Sequence, residues 1–96
     1  MNVVSNLSKV ALITGASSGL GKAMAIRLAK DGFNIAVNYR GEAEQQDALD
    51  LQKQLQEIGV DADIFMCDVS SFSACGEMIK CVKERFNTID VLVNNA

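Results

Sequence analysis

The chain has 96 residues, room for one domain at most, and 49% of them are apolar, as a soluble protein with a core requires. A formal charge of −3 without any lysine or arginine cluster excludes the electrostatic footprint of a nucleic-acid or anionic-membrane binder. No apolar run approaches the roughly 20 residues of a bilayer-spanning helix, and the N-terminus lacks a basic-then-apolar leader pattern, so a cytoplasmic location is the expectation.

Val10-Ala11-Leu12-Ile13 is a continuous apolar run ending at a glycine-rich segment, the pattern of a strand buried on both faces. A helix is predicted from Leu20 to Lys30, with Ala23, Met24, Leu28 and Ala29 as its apolar stripe and Gly32 as a left-handed cap. The second strand is Asn34 to Asn38, around Ile35-Ala36-Val37. From Glu42 to Ile58, Ala48, Leu51, Leu55 and Ile58 fall on one helical face, and Gly59 follows. Ala62 to Cys67 is a third apolar run, ending at Asp68-Val69, and Ser70 or Ser71 is placed to cap a helix reaching about Phe86. That helix has Cys75, Met78, Ile79, Val82 and Phe86 as its inner stripe, and Asp90-Val91-Leu92-Val93 supplies the fourth strand.

The alternation β-α-β-α-β-α-β predicts a parallel sheet with right-handed crossovers, an α/β Rossmann-type doubly wound fold with strand order 3-2-1-4. Residues 1–96 then form the N-terminal part of a dinucleotide-binding domain, and the fourth strand is left as an open edge. The chain is therefore expected to be a piece of a longer protein, marginal alone or dependent on a second copy. Cys67, Cys75 and Cys81 have no metal-ligand spacing and no histidine to join them, so all three are expected to be buried, reduced thiols.

Gly15, Gly19 and Gly21 stand between the first strand and the first helix. There the first glycine turns the chain, the second lets the backbone approach a phosphate, and the third lets the helix pack close to the sheet. The helix N-terminus then faces the anion. A tight turn without a ligand is the alternative. A P-loop is excluded, because Ala23 follows Gly21-Lys22 where Ser or Thr is required. A flavodoxin-like or receiver-type domain shares the alternation of elements, but a receiver needs a carboxylate cluster where these glycines stand.

Thr14-Gly15-Ala16-Ser17-Ser18-Gly19-Leu20-Gly21, with Asp68-Val69 after the third strand and Asn94-Asn95-Ala96 after the fourth, resembles the short-chain dehydrogenase/reductase family over the whole chain. Within that family the resemblance is to the beta-ketoacyl-acyl-carrier-protein reductases and their relatives. It implies that Thr14 to Gly21, Leu20 included, wraps the pyrophosphate and adenosine ribose, with Ser17 and Ser18 donating hydroxyl hydrogen bonds. It implies that Asp68 and Val69 flank the adenine, that Asn95 and Ala96 lie along the cofactor's ribose, and that Asn94 mainly pins the fourth strand. The plainer alternatives are a strand-end turn at Asp68 and a polar cap at Asn94 and Asn95.

The residues ending the second strand, Asn38, Tyr39 and Arg40, include no carboxylate of the kind that binds the ribose 2′-hydroxyl of NAD. Arg40 suits a 2′-phosphate, which favours NADP(H) over NAD(H) and places Tyr39 and Arg40 at the cofactor. An exposed arginine paired with Glu42 or Glu44 is the alternative. The family's chemistry uses a serine and a Tyr-x-x-x-Lys pair, the lysine lowering the tyrosine pKa. Tyr39 is the only tyrosine, and Ala43 stands four residues on. These residues are thus expected to bind dinucleotide, with a carbonyl substrate reduced only by a full-length, homo-oligomeric protein. A non-catalytic dinucleotide-binding module or a structural fragment is the competing reading.

Overall fold

The computed structural model describes residues 9–95. Four strands, β1 (Val10–Ile13), β2 (Asn34–Tyr39), β3 (Ala62–Met66) and β4 (Val91–Val93), form one sheet in the order β3-β2-β1-β4. Every neighbouring pair is parallel, with Ala11 opposite Ile35 on one side and Val91 on the other. The predicted topology is the observed one.

Strand alternation splits the core into two layers. Ala11, Ile13, Ile35 and Val37 face α1 (Gly19–Lys30) and α2 (Gln45–Ile58), which contribute Ala25, Ala29, Ala48, Leu51 and Leu55. Val10, Leu12 and Ala36 face α3 (Phe72–Phe86), which contributes Met78, Val82 and Phe86. β1 is buried along its whole length because helices cover both faces and strands flank both edges. Among the described residues, no helix is long and apolar enough to cross a membrane.

The helix ends follow local chemistry. Gly32 (φ 98°) and Gly59 (φ 117°) take the left-handed conformation after α1 and α2. After α1, Phe33 N–H reaches back to Leu28 O at 3.0 Å. Ser71 caps α3, its Oγ accepting from Ala74 N–H at 3.3 Å. The stretch predicted as one helix from Glu42 opens instead with a 3₁₀ turn, Glu42–Glu44, in which Glu44 Oε1 accepts Gly41 N–H at 3.0 Å.

Three expectations need correction. The inner face of α1 is Gly21, Ala25 and Ala29, not Ala23, Met24 and Leu28. Small residues four apart let the helix lie close on β1 and β2, and they displace the bulkier Met24 and Leu28 to a flank beside Val91 and Val93. β3 ends at Met66, one residue early, and as an edge strand it leaves Met66 56% exposed. Of the three free thiols only Cys67 is buried; Cys75 is half-buried, and Cys81 is exposed because the Met78–Val82–Phe86 stripe turns it away from the sheet.

Arg85 staples α3 to β3 at the end of the sheet where β3 begins. Its Nη1 and Nη2 donate to Asp61 Oδ2 and Oδ1 at 3.0 and 2.9 Å, and its Nε donates to Asp63 Oδ2 at 3.0 Å. The guanidinium also lies 4.5 Å from the Phe86 ring centroid. A bidentate, networked pair of this kind outperforms an isolated surface bridge. Arg85→Ala is expected to lower unfolding free energy by about 1 kcal/mol, read as a lower urea midpoint whose difference from the parent shrinks in high salt.

Candidate cofactor site

In a doubly wound sheet the strand at the reversal of order opens a crevice at its carboxyl end, and here that strand is β1. Beyond Ile13 the chain leaves the sheet at Thr14, whose N–H still bonds Val93 O at 3.0 Å. Thr14 Oγ1 accepts Asn95 N–H at 2.9 Å, and its own hydrogen has Val93 O and Asn94 Oδ1 in reach, both at 3.4 Å. Asn95 Nδ2 donates to Gly15 O at 3.2 Å. Both asparagines touch the end of β1, but it is Asn95 that ties β4 to the glycine loop, while Asn94 lines the cleft described below. Ala96 lies outside the described residues.

Gly15 and Gly19 both sit at φ 59°, where a side chain is strained, so the loop's two bends require glycine. Gly21 answers a different need. A Cβ on it would stand 2.5 Å from Gly15 O, 2.7 Å from Asn95 Nδ2 and 3.0 Å from Ala16 Cα. Close approach at Gly21 is thus to the loop and Asn95, rather than to the body of the sheet. Ser17 is buried, whereas Ser18 is the exposed N-cap of α1 and makes no capping bond with its side chain. Leu20 is 69% exposed, and no acidic residue occupies the first turn of α1. The first N–H groups of that helix therefore present uncompensated positive potential to the crevice.

On the α3 face the strand ends enclose a cleft of about 670 Å³. Thr14, Arg40, Asp68, Ser70 and Asn94 are its polar members; Leu12, Val69, Met78, Ile79 and Leu92 are among its apolar ones. The glycine loop beyond Thr14 does not line it. Arg40 is 80% exposed and stands with Nε 3.9 Å from Asp68 Oδ2, while Glu44 is engaged with Gly41. Asp68 Oδ1 accepts the Ser70 N–H at 3.0 Å and the Ser70 hydroxyl at 2.7 Å. These bonds, with a smaller contribution from Arg40, hold the Asp68 carboxyl below its ordinary pKa. Burial, reinforced by neighbouring Cys75, pushes the Cys67 thiol up and keeps it protonated at neutral pH.

Tyr39 goes elsewhere. Strand alternation sends its side chain into the α1/α2 core, where it is buried, so only its main chain reaches the strand end. Sequence reasoning missed the weight carried by Asn38. It is a buried polar residue whose Oδ1 accepts Gly15 N–H at 3.1 Å and whose carbonyl accepts Ala16 N–H at 2.9 Å. The available signal was an amide at the end of the apolar run Ile35-Ala36-Val37, since a buried side-chain amide demands partners.

The chain matches the family model for short chain dehydrogenase over residues 9–96. It is 41% identical to the 3-oxoacyl-acyl-carrier-protein reductase of Staphylococcus aureus (strain Mu50) over 90 residues, covering 94% of this chain and 36% of that protein. A crystal structure of an actinorhodin polyketide ketoreductase with NADPH is 42% identical, with a TM-score of 0.85 over 98% of this chain and 35% of that one. An NAD+-bound xylitol dehydrogenase is 36% identical, with a TM-score of 0.85 over 92% of this chain and 33% of that one. The chain thus spans about a third of the length of these relatives.

Gly21→Ala is expected to destabilise the chain by about 1–3 kcal/mol, the range for forcing a methyl into filled space, and thermal melting checks it. For Asp68, the lowered folded pKa means that its stabilising contribution is present above the unfolded value and lost as pH falls through the folded one. An NMR titration should place the Asp68 midpoint below that of an unperturbed aspartate, and Ser70→Ala should raise it.

Proposed function

This chain belongs to the short-chain dehydrogenase family, and from that premise we propose that it binds a nicotinamide dinucleotide, NADP(H) in preference to NAD(H), across the carboxyl ends of its strands. The observation that carries the preference is Arg40. Its exposed guanidinium stands over the cleft beside Asp68, and no carboxylate precedes it at the end of β2 to meet a ribose 2′-hydroxyl. A planar guanidinium matches the oxygens of a 2′-phosphate.

The remaining residues divide by chemistry. Thr14 to Gly21 take the pyrophosphate and adjoining ribose: the glycine bends bring backbone close, Ser17 and Ser18 offer hydroxyls, and Leu20 and Gly21 offer main-chain N–H groups at the start of α1. Asp68 and Val69 flank the adenine at the cleft wall. Asn95 lies along the ribose as the cofactor crosses toward β4. Tyr39 contributes main chain alone.

When bound, the nicotinamide supplies a hydride; the residues of this chain bind and orient it. We assign them to the cofactor-binding half of an enzyme that reduces a carbonyl, and the ketoreductase relatives support a ketoacyl thioester as substrate class. These 96 residues contain no Tyr-x-x-x-Lys pair.

Titration with NADPH and NADH, followed by nicotinamide fluorescence, tests the reading. Arg40→Ala should weaken NADPH binding by about tenfold or more, as expected for loss of a charge-assisted contact, and leave NADH within about twofold. Equal loss for both cofactors would remove Arg40 as the 2′-phosphate ligand. Absence of saturable binding by the parent chain would sink the cofactor assignment.

A further inference from the structure

We propose that Asn38 is a positioning residue that fixes the glycine loop relative to the β3–α3 loop and so sets the spacing between the two halves of the dinucleotide site, an inference that rests on the cofactor reading above. Its side chain is 1% exposed at the carboxyl end of β2, between the two loops. Oδ1 accepts Gly15 N–H at 3.1 Å. On the other side Nδ2 has three carbonyls in reach: Cys67 O at 3.1 Å, Phe65 O at 3.2 Å and Tyr39 O at 3.3 Å. The orientation of the amide is fixed by these partners, since an N–H faces one end and only carbonyls face the other.

The sheet's own ladder does not reach across this gap. β1 and β2 pair only as far as Ile13 opposite Val37, and β2 and β3 as far as Tyr39 opposite Met66. Beyond those points the loops separate, and one main-chain bond remains on each side: Ala16 N–H to Asn38 O and Cys67 N–H to Tyr39 O, both 2.9 Å. Spanning from Gly15 N–H to Cys67 O takes a side chain that accepts at one end and donates at the other. A serine is too short, a leucine has neither group, and an aspartate lacks the donor.

The groups so joined are neighbours of the proposed ligand contacts. Gly15 makes the first bend of the pyrophosphate loop, Cys67 directly precedes Asp68, and Arg40 lies two residues after Asn38 itself. Asn38 is buried and does not line the cleft. Its effect is on registration, and registration matters to a ligand that engages both loops at once and little to a ligand that engages one.

The discriminating measurement compares NADPH, which spans the site, with adenosine 2′-monophosphate, which carries the adenine and the 2′-phosphate but no 5′-phosphate for the glycine loop, on the full chain and its variants. In Asn38→Leu the NADPH dissociation constant should rise by about tenfold or more, while that of adenosine 2′-monophosphate stays within about threefold. Asn38→Asp keeps an acceptor for Gly15 N–H but sets a buried carboxylate oxygen against the three carbonyls, so it too should raise the NADPH dissociation constant by about tenfold or more. Equal losses for both ligands, or none for NADPH, would overturn the proposal. Amide hydrogen exchange on the parent chain gives a test that needs no variant: a slowly exchanging Gly15 N–H supports the tie, and exchange as fast as a free loop amide overturns it. A parent chain that holds the Gly15 amide yet binds neither ligand would overturn the cofactor reading and this inference with it; a parent that binds NADPH, with variants that bind it equally well, would overturn the inference alone.

Discussion

The end of β1 carries the candidate site because it is held from both sides at once. Thr14 N–H bonds Val93 O on the β4 side, and two residues later Ala16 N–H bonds Asn38 O on the β2 side. Between them Gly15 bends at φ 59°, its N–H taken by Asn38 and its carbonyl by Asn95. A glycine loop is entropically costly to order. Here four hydrogen bonds, to strands on opposite flanks, fix its course before any ligand arrives.

That clamp also explains the face α1 presents. A helix that starts four residues after Gly15 and must pass close over the loop cannot carry a side chain at position 21, and the same face continues through Ala25 and Ala29 onto the sheet. The small residues therefore serve packing at the sheet and clearance at the loop together. Met24 and Leu28, larger and more hydrophobic, are displaced to the flank of β4, where Val91 and Val93 meet them. On the opposite face α3 packs with ordinary bulk, Met78, Val82 and Phe86, because no loop has to slip beneath it.

The elements were legible because their signals are local. Short apolar runs closed by glycine or polar residues marked the strands, Gly32 and Gly59 marked helix ends, and Ser71 marked a helix start. The glycine spacing, Asp68 and the paired asparagines were legible as a candidate site for the same reason. What escaped was decided by partners far along the chain. Hydrophobicity ranks Met24 above Gly21, yet packing against a loop and a sheet chose the smaller residue. Asn38 looks like an ordinary strand end until its partners, 23 to 29 residues away across the strand ends, are known. Tyr39 was drawn toward the cofactor by its position, and strand alternation turned its ring the other way.

The two flanks of the clamp are unequal. β2 is paired over six residues, lies between β1 and β3, and adds the Asn38 amide to its backbone bonds. β4 is three residues long and pairs only with β1 among the described residues; Leu92 is 56% exposed. Val93 O points toward β1, to Thr14 N–H, and in a strand the N–H and C=O of one residue share a side, so Val91 and Val93 turn their main chain to β1 and the Leu92 N–H and C=O face outward. Few ladder bonds and little buried apolar surface make β4 the place where opening costs least. The site inherits that asymmetry. Its β2 side, with Arg40 and the bond from Gly15 to Asn38, is anchored in the core, whereas Asn94 and Asn95 directly follow the strand that any covering of the Val91–Val93 edge would stiffen. Cover on that edge would act on the proposed dinucleotide site through two contacts in particular, Asn95 N–H to Thr14 Oγ1 and Asn95 Nδ2 to Gly15 O.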